Sequence, residues 1–390
     1  MTFSNVDDFN DAIEFTFVLG RVHDKIGGPT RTIWGYVEGL EARGRSTRVA
    51  GLGSPETLAG SFGQAKTQDL LAISGRAYEA WKVLYQLYRR QTPASALVIV
   101  GVWHLPFFVL GFLRVLSMVY PALGRHRILL IPTMSLTEYD WAKHRAVKSC
   151  IKPLVSLILR SMDGIIFASS GELELSSPRT WQRAEVVLHP SVSTNSAPGS
   201  FARDLDVLFV GRLDPQKDIP LLLESFAKTS DRNVLHLVGD GSPEYVLELR
   251  HLAEGLGVAE RIVWHGWKTH SETLEYFRRA RVVAVTSLVE NFCHAAVEAL
   301  VAETDLVLVD RVMSAVDFAR LADIDVTDAQ SDLIASCIQA RLDDWDSRHQ
   351  LRSRSASAVR SACSPTEAAA AVELFITDAV SRKAPDSPNR

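Results

Sequence analysis

Cysteine is scarce in this 390-residue sequence: Cys150, Cys293, Cys337 and Cys363 lie far apart, with no CxxC or Cys/His ligand spacing. That scarcity excludes a disulfide framework, gives no sign of a zinc site and fits a reducing compartment such as the cytoplasm. Excess charge is lacking as well. A net charge of −4 and a pI near 6.3 argue against nucleic acid as the main partner, so any basic site must be local. Lys and Arg are absent from the opening MTFSNVDDFNDAIEF, which carries four acids and does not resemble the basic start of a secretory signal. Long hydrophobic runs are missing too. The most apolar stretch, Phe107 to Tyr120 (FFVLGFLRVLSMVY), has 14 residues between Pro106 and Pro121. A spanning helix needs roughly 20, so the stretch reads as a buried helix. No Asp-x-Asp cluster follows a strand where a divalent ion could bridge to a diphosphate, so no metal and no other cofactor is expected.

What is present is apolar and periodic. Hydrophobic residues make up 47% of a chain longer than a single core can serve, so two α/β domains are expected. Short β-rich runs alternate with helical stretches in the first half: EFTFVL (14–19), TRVAGL (47–52), ALVIV (96–100), RILLIPT (127–133) and GIIFAS (164–169). Alternation of this kind predicts a parallel sheet covered on both faces. Pro190 to Arg203 breaks the pattern and reads as a linker, after which it restarts with DVLFVG (206–211), NVLHLVG (233–239), RIVWHG (261–266), VVAVTS (282–287) and DLVLVD (305–310). Beyond about residue 345 the chain is charged and Ser/Ala-rich until Ser364 to Val380 forms one more amphipathic helix, and the end from about 384 is expected to be disordered.

Three places carry candidate chemistry. Ile26-Gly27-Gly28-Pro29-Thr30 stands between a strand and a helix, where two glycines let backbone approach an anion and free N–H groups attract it; a plain strand-to-helix turn explains the segment equally well. Gly211 to Lys217 (GRLDPQK) follows an apolar strand and puts Arg212 and Lys217 at the carboxyl edge of a sheet, where open α/β folds bind ligands. Cations there can neutralise a departing phosphate. Glu290 and Glu298, in SLVENFCHAAVEAL, have seven residues between them. With a helix starting at Asn291, Glu298 falls about two turns in and faces nearly the same way as Glu290, so the two acids could grip sugar hydroxyls while the helix N-terminus faces phosphate.

These segments resemble the GT-B glycosyltransferases, specifically the retaining family numbered 4, over about residues 14 to 380. VGRLDPQK (210–217) is similar to the family's Gly-Arg-Leu and Lys signature, LVGDGSP (237–243) to its Gly-Asp-Gly-Pro turn, and GLGVAERIVWHGW (255–267) to the stretch before its base-binding loop. ENFCHAAVE (290–298) fits its Glu-x7-Glu motif, and IGGPTR (26–31), IVGVWHLP (99–106) and IPTMSLTEYDWAKHRAVK (131–148) resemble first-lobe segments. The resemblance implies two Rossmann-like domains facing each other across a cleft. Residues 12–190 would be the acceptor domain, with helix 364–382 packing back on it, residues 203–345 the nucleotide-sugar donor domain, and 384–390 a tail.

It implies, too, that Arg212 and Lys217 clamp the donor diphosphate, that Glu290 touches the transferred sugar and Glu298 the ribose, and that the N–H groups of Asn291 and Phe292 meet a phosphate or sugar oxygen. Gly27 and Gly28 would lie under the diphosphate, His104 would be a partner for the sugar unless it is a structural histidine at a strand end, and Gly239 and Trp267 join the donor-binding set. The activity implied is transfer of a hexose from a nucleotide-sugar to a saccharide or lipid-linked acceptor, with retention, in bacterial surface polysaccharide or glycolipid assembly. A catalytically silent nucleotide-sugar-binding subunit, an epimerase and a phosphorylase are the alternatives. Departures from the family are Asp218, Cys293 and Glu303 in place of its usual glycines and Asp305 in place of its Pro, with Asp218 and Glu303 adding negative charge close to the diphosphate. Residues 142–162 offer a basic face of Arg145, Lys148 and Lys152 beside an apolar stripe of Val147, Ile151, Val155, Ile158 and Met162, which suggests peripheral contact with the inner face of the plasma membrane; an ordinary core-packed helix with a wet basic side explains it equally well.

Overall fold

Strands that are apolar on consecutive residues must be covered on both faces, and parallel sheets with helices on each side meet that demand. The computed structural model describes residues 2–3, 14–21, 28–54, 56–58, 69–90, 95–124, 126–191 and 202–381; most of the linker 190–203, the tail 384–390 and Gly27 lie outside them. The chain divides into two units, one taking in Met1–Val192 and Ser364–Arg390, the other Ser193–Cys363.

The first unit has strands β1 (Thr2–Phe3), β2 (Phe15–Arg21), β3 (Thr47–Leu52), β4 (Asp69–Ile73), β5 (Ala96–Val100), β6 (Arg127–Ile131), β7 (Gly164–Phe167) and β8 (Ala184–Val186). They form one sheet in the order β1-β4-β3-β2-β5-β6-β7-β8, and every pairing is parallel. Its helices are α1 (Gly28–Ala42), α2 (Ala77–Arg89), α3 (Leu105–Val119), α4 (Glu138–Ala142), α5 (Arg145–Ser161), α6 (Ser170–Leu175) and the last of the chain, α14 (Pro365–Ser381). Successive strand residues serve opposite faces. Phe17 and Val98 pack with Ile33 and Leu40 of α1 and Val372 of α14, whereas Val18, Leu97 and Ile99 pack with Leu84 of α2, Leu110 of α3 and Ile158 of α5. The approach of α14 to α1 depends on Gly39, since a Cβ there would lie 1.9 Å from the Pro365 carbonyl oxygen. Glu373 of α14 then pairs with Arg43 and Arg45, each at 2.6 Å.

Two expectations change here. The stripe expected on residues 142–162 is divided: Val155, Ile158 and Met162 are core and Lys148 turns inward to Asp140 (2.9 Å) and the Trp103 ring (4.3 Å to its centre), while Arg145, Val147 and Lys152 stay exposed. The stretch Phe107–Tyr120 is helical but buried on one side only, with Phe112 and Val119 exposed. Among the described residues no helix is long and apolar enough to cross a membrane.

The second unit has strands β9 (Leu205–Val210), β10 (Leu235–Val238), β11 (Ile262–Gly266), β12 (Ala280–Val285), β13 (Asp305–Val309) and β14 (Asp325–Thr327). Between and after them run α7 (Ile219–Phe226), α8 (Pro243–Gly255), α9 (His270–Arg279), α10 (His294–Val301), α11 (Ala315–Leu321), α12 (Ser331–Asp343) and α13 (His349–Ala362). Local chemistry fixes the helix starts: Ser242 caps α8 by accepting from the Tyr245 N–H, and Thr269 with Glu272 forms a capping box on α9. Strand order is β11-β10-β9-β12-β13-β14, all parallel. The chain winds outward from β9 to β11 and restarts at β12 on the other side of β9. The connections therefore diverge between β9 and β12, leaving at their carboxyl ends the crevice where such sheets bind ligands.

Candidate active site

The crevice is built from the loops that follow β9 and β12. After β9, Gly211 donates its N–H to the Val238 carbonyl (3.0 Å), and the strand ends pass so closely that a Cβ on Gly239 (φ 147°) would lie 1.7 Å from the Gly211 oxygen. Only glycine fits there. Asp214 caps a 3₁₀ turn at Pro215–Lys217 by accepting from the Gln216 N–H (3.0 Å), and it pairs at 3.0 Å with Arg212, whose side chain is 74% exposed. The loop after β12 grips this turn from the other side. Thr286 donates its hydroxyl to the Lys217 and Asp218 carbonyls (3.1 Å each), Leu288 donates its N–H to the Gln216 carbonyl (2.9 Å), and the Gln216 amide donates to the Val289 carbonyl (3.1 Å). So held, the Lys217 ammonium forms an ion pair with the Glu290 carboxylate, both side chains being about one-fifth exposed. Burial alone would lower the Lys217 pKa, but the adjoining carboxylate holds it above the ordinary lysine value, so the cation persists.

Glu298 is placed differently from the sequence expectation. Helix α10 starts at His294, because Cys293 before it is left-handed (φ 58°, ψ 75°) and the preceding residues follow the neighbouring loop: Met313 donates its N–H to the Glu290 carbonyl (2.9 Å), and Ser314 its hydroxyl to the Phe292 carbonyl (2.7 Å). Glu298 consequently lies about one turn into the helix, 2% exposed, with a carboxylate oxygen 3.7 Å from Nδ1 of His270 at the start of α9. The two acids meet different partners, Glu290 the Lys217 ammonium and Glu298 the His270 ring. Phe292 is buried, its ring 5.6 Å from that of Phe318, which leaves only its backbone for a ligand; Asn291 is half-buried. Trp267, one residue past the end of β11, is 64% exposed and offers a flat apolar platform at the same edge of the sheet.

Residues 194–357, which contain this whole crevice, match the family described as Glycosyl transferases group 1. The second unit carries a glycosyltransferase group 1 domain. Among curated proteins, an uncharacterized glycosyltransferase of Methanocaldococcus jannaschii, MJ1607, is 34% identical over 102 residues, covering 26% of this chain and 26% of that protein. The D-inositol 3-phosphate glycosyltransferase of a Mycobacterium species is 33% identical over 134 residues, 31% of this chain and 30% of that protein. The match therefore spans less than a third of the length of either relative. Among solved structures, Anabaena Alr3699/HepE in complex with UDP aligns over 94% of this chain and 100% of its own, with a TM-score of 0.76 and 14% identity. At that identity the likeness is one of fold, and the fold class is GT-B, with two parallel-sheet Rossmann-like domains.

Within the glycosyltransferase domain the departures from the family pattern fall in two places. Asp218 adjoins Lys217 and pairs with Arg311 at 3.4 Å, near the crevice. Glu303 does not add charge there, contrary to expectation, and Asp305 lies away from it as well, because α10 carries the chain back to the amino edge of the sheet. Asp305 is buried at that edge among Arg341 (3.2 Å), Arg352 (3.4 Å) and Arg348 (3.6 Å), while Thr304 donates its hydroxyl to the Phe277 carbonyl (2.6 Å). Cys293 sits close to Lys217 and Glu290, its thiol pushed up to about 12 by burial, with Glu290 adding to the shift.

In the first unit Gly28 opens α1 and is exposed. His104 is engaged as a structural group: Nδ1 accepts from the Phe107 N–H (3.3 Å) and caps α3, and Nε2 lies 2.7 Å from the Val100 carbonyl, to which it donates. Burial lowers its pKa, so the neutral ring fits both bonds. The site residues that the sequence reading missed are those that hold others in place. Asp214 is signalled by the Asp-Pro pair of a capped turn, whereas Thr286 and Gln216 carry no local signature. Nor does Glu172, wholly buried, which accepts from the Ala168 N–H (2.8 Å) and from the Met134 N–H and so steadies the left-handed pair Thr133 (φ 51°) and Met134 (φ 72°). Among the described residues no group of three or more His, Cys, Asp and Glu converges as a metal site.

Proposed function

We propose that the chain transfers a hexose from a nucleotide-sugar to an acceptor hydroxyl with retention, the crevice between β9 and β12 being the donor site. The observation that carries this reading is the Lys217–Glu290 ion pair at the switch point of the second sheet, inside the matched segment. In the reaction the acceptor oxygen bonds to the anomeric carbon, the bond from that carbon to the diphosphate oxygen breaks, and the departing phosphate takes the acceptor's proton. Charge builds on the leaving diphosphate, and Lys217 and Arg212 neutralise it. Lys217 is prepaid for this task because Glu290 and the Thr286-gripped turn fix it before substrate arrives. Arg212 is exposed and free to swing from Asp214 to a phosphate.

Glu290 is assigned to a hydroxyl of the transferred sugar, Glu298 to the ribose, Trp267 to the base, and the backbone of Gly239, Asn291 and Phe292 to the phosphates and sugar. His104 is given a positioning role, since one ring nitrogen is spent on α3 and the other on the Val100 carbonyl at the end of β5. A UDP complex of a protein with the same fold supports a nucleotide-sugar donor, and the acceptor is a saccharide or a lipid-linked saccharide. The test is thermal shift of the purified chain against uridine, guanosine and adenosine diphosphate sugars, followed by NMR of the product anomer. A bound donor at 100 times its Kd stabilises by about 2.7 kcal/mol. No shift with any donor, or a product of inverted configuration, overturns the reading.

A further inference from the structure

Helices α2, α3 and α5 lie side by side on one face of the first unit's sheet, α3 packing against both neighbours. Their inner residues fill the core, and the outer residues of such helices are ordinarily polar. Here they are not. Helix α2 exposes Tyr78, Trp81 and Tyr85; α5 exposes Val147, Leu154 and Leu157. On α3 between them, positions 105, 108, 112, 115, 116 and 119 make one outward stripe at helical spacing, and all six residues are apolar: Leu105, Phe112 and Val119 exposed, Phe108, Val115 and Leu116 half-covered. The Trp81 and Phe112 ring centres are 6.5 Å apart, which joins the stripes of α2 and α3. Single exposed apolar residues are ordinary; a continuous surface spread over three helices marks a docking face.

Charge identifies what docks. The one acid on the three helices is Glu79, paired with Arg76 at 3.3 Å, whereas Lys82 and Arg89 lie on α2 and Arg145, Lys152 and Arg160 on the exposed side of α5. This cationic rim stands on a chain whose net charge is −4. A second copy of the chain laid on the same face would set cation against cation. Exposed Trp and Tyr among aliphatic side chains, ringed by Lys and Arg whose stems can lie along apolar surface, instead suit the boundary of a bilayer with anionic headgroups.

We propose that the outer face of α2, α3 and α5 docks on an anionic lipid membrane and so brings the first unit to acceptors held in that membrane. Only the clause on acceptors rests on the function proposed above. The test uses the full chain and flotation with vesicles of phosphatidylcholine alone or of phosphatidylcholine and phosphatidylglycerol in equal parts. The chain is expected to float with the anionic vesicles only. Replacing Lys82, Arg145 and Lys152 together by Gln should lower partitioning by roughly 100-fold, at roughly fivefold per cation, with an unchanged melting temperature. Phe112→Ser and Leu157→Ser should weaken binding without changing its salt dependence. Independently of any folding defect in those variants, brominated lipid should quench the unmodified chain's tryptophan fluorescence, and Trp81→Phe should remove part of that quenching. Equal binding to neutral vesicles, no binding, or quenching unaffected by Trp81→Phe overturns the proposal. So does a dimer at sedimentation equilibrium that Phe112→Ser dissociates. No sugar donor enters these measurements, so their failure leaves the assignment of the crevice untouched.

Discussion

Asp218, Cys293 and Glu303 hold left-handed backbone, at φ 48°, 58° and 59°, where the resembling family carries glycine. The chain has kept the glycine conformation and placed a side chain on it, at a cost of roughly 1–2 kcal/mol per residue, less for Asp. Glu303→Gly should relieve that strain while losing about 0.4–1 kcal/mol to the freer unfolded chain, for a net gain in stability. A higher urea midpoint is expected; a lower one would mean that attraction to Arg203 and Arg352 outweighs the strain. Asp218→Gly removes a negative charge beside Lys217 and releases Arg311, so titration should find donor binding tightened severalfold, and an unchanged Kd would place the carboxylate away from the diphosphate. The cations and acids of the crevice were legible in the sequence because a strand followed by GRLDPQK fixes the sheet edge on which Arg212 and Lys217 stand. The distance of Glu303 and Asp305 from it was not. Helix α10 has eight residues and rises about 12 Å, enough to carry both to the opposite edge.

At the scale of elements, β10, β11 and α9 assemble a chain of rings in which His236 Nδ1 lies 3.0 Å from His265 Nε2, and His265 Nδ1 lies 3.0 Å from the Tyr276 hydroxyl. Burial, with His265 adding, pushes His236 down to about 4, against 6.5 for a free histidine, and burial lowers His265 as well. Between those two values the unfolded chain binds the proton that the folded one refuses. Stability is therefore complete above pH 6.5 and is lost as pH falls toward 4. Urea midpoints across that window should fall less steeply for His236→Gln than for the parent; equal slopes would contradict the assignment. Most strands were legible because their apolar runs are buried on both faces. Helix α2 was not, since the outward Tyr78, Trp81 and Tyr85 blur the spacing of the inward Ala80, Leu84 and Leu87. The start of α10 was misplaced because a left-handed Cys293 hides the stop that a glycine would have announced.

Over the whole molecule the same design recurs in each unit: parallel strands wound outward from a central strand, β2 in one and β9 in the other, and then resumed on its far side by β5 and β12. Alternating β and α patterns imply that arrangement, so the fold class was readable from the sequence; the docking face was not, because an exposed apolar stripe and a buried one have the same period. Stabilisation of charge on a departing diphosphate by the crevice beside β9 and β12, as proposed, is best tested by steady-state kinetics of Lys217→Ala beside Glu298→Gln. On the proposed assignment Lys217 acts on charge that grows in the transition state, so its loss should lower kcat by roughly 10²-fold and change KM little. Glu298, as assigned to the ribose, would hold a group bound alike before and during reaction, so Glu298→Gln should raise KM about tenfold with kcat less affected. Near-parental kinetics for both folded variants would contradict the account and remove the donor site from this crevice.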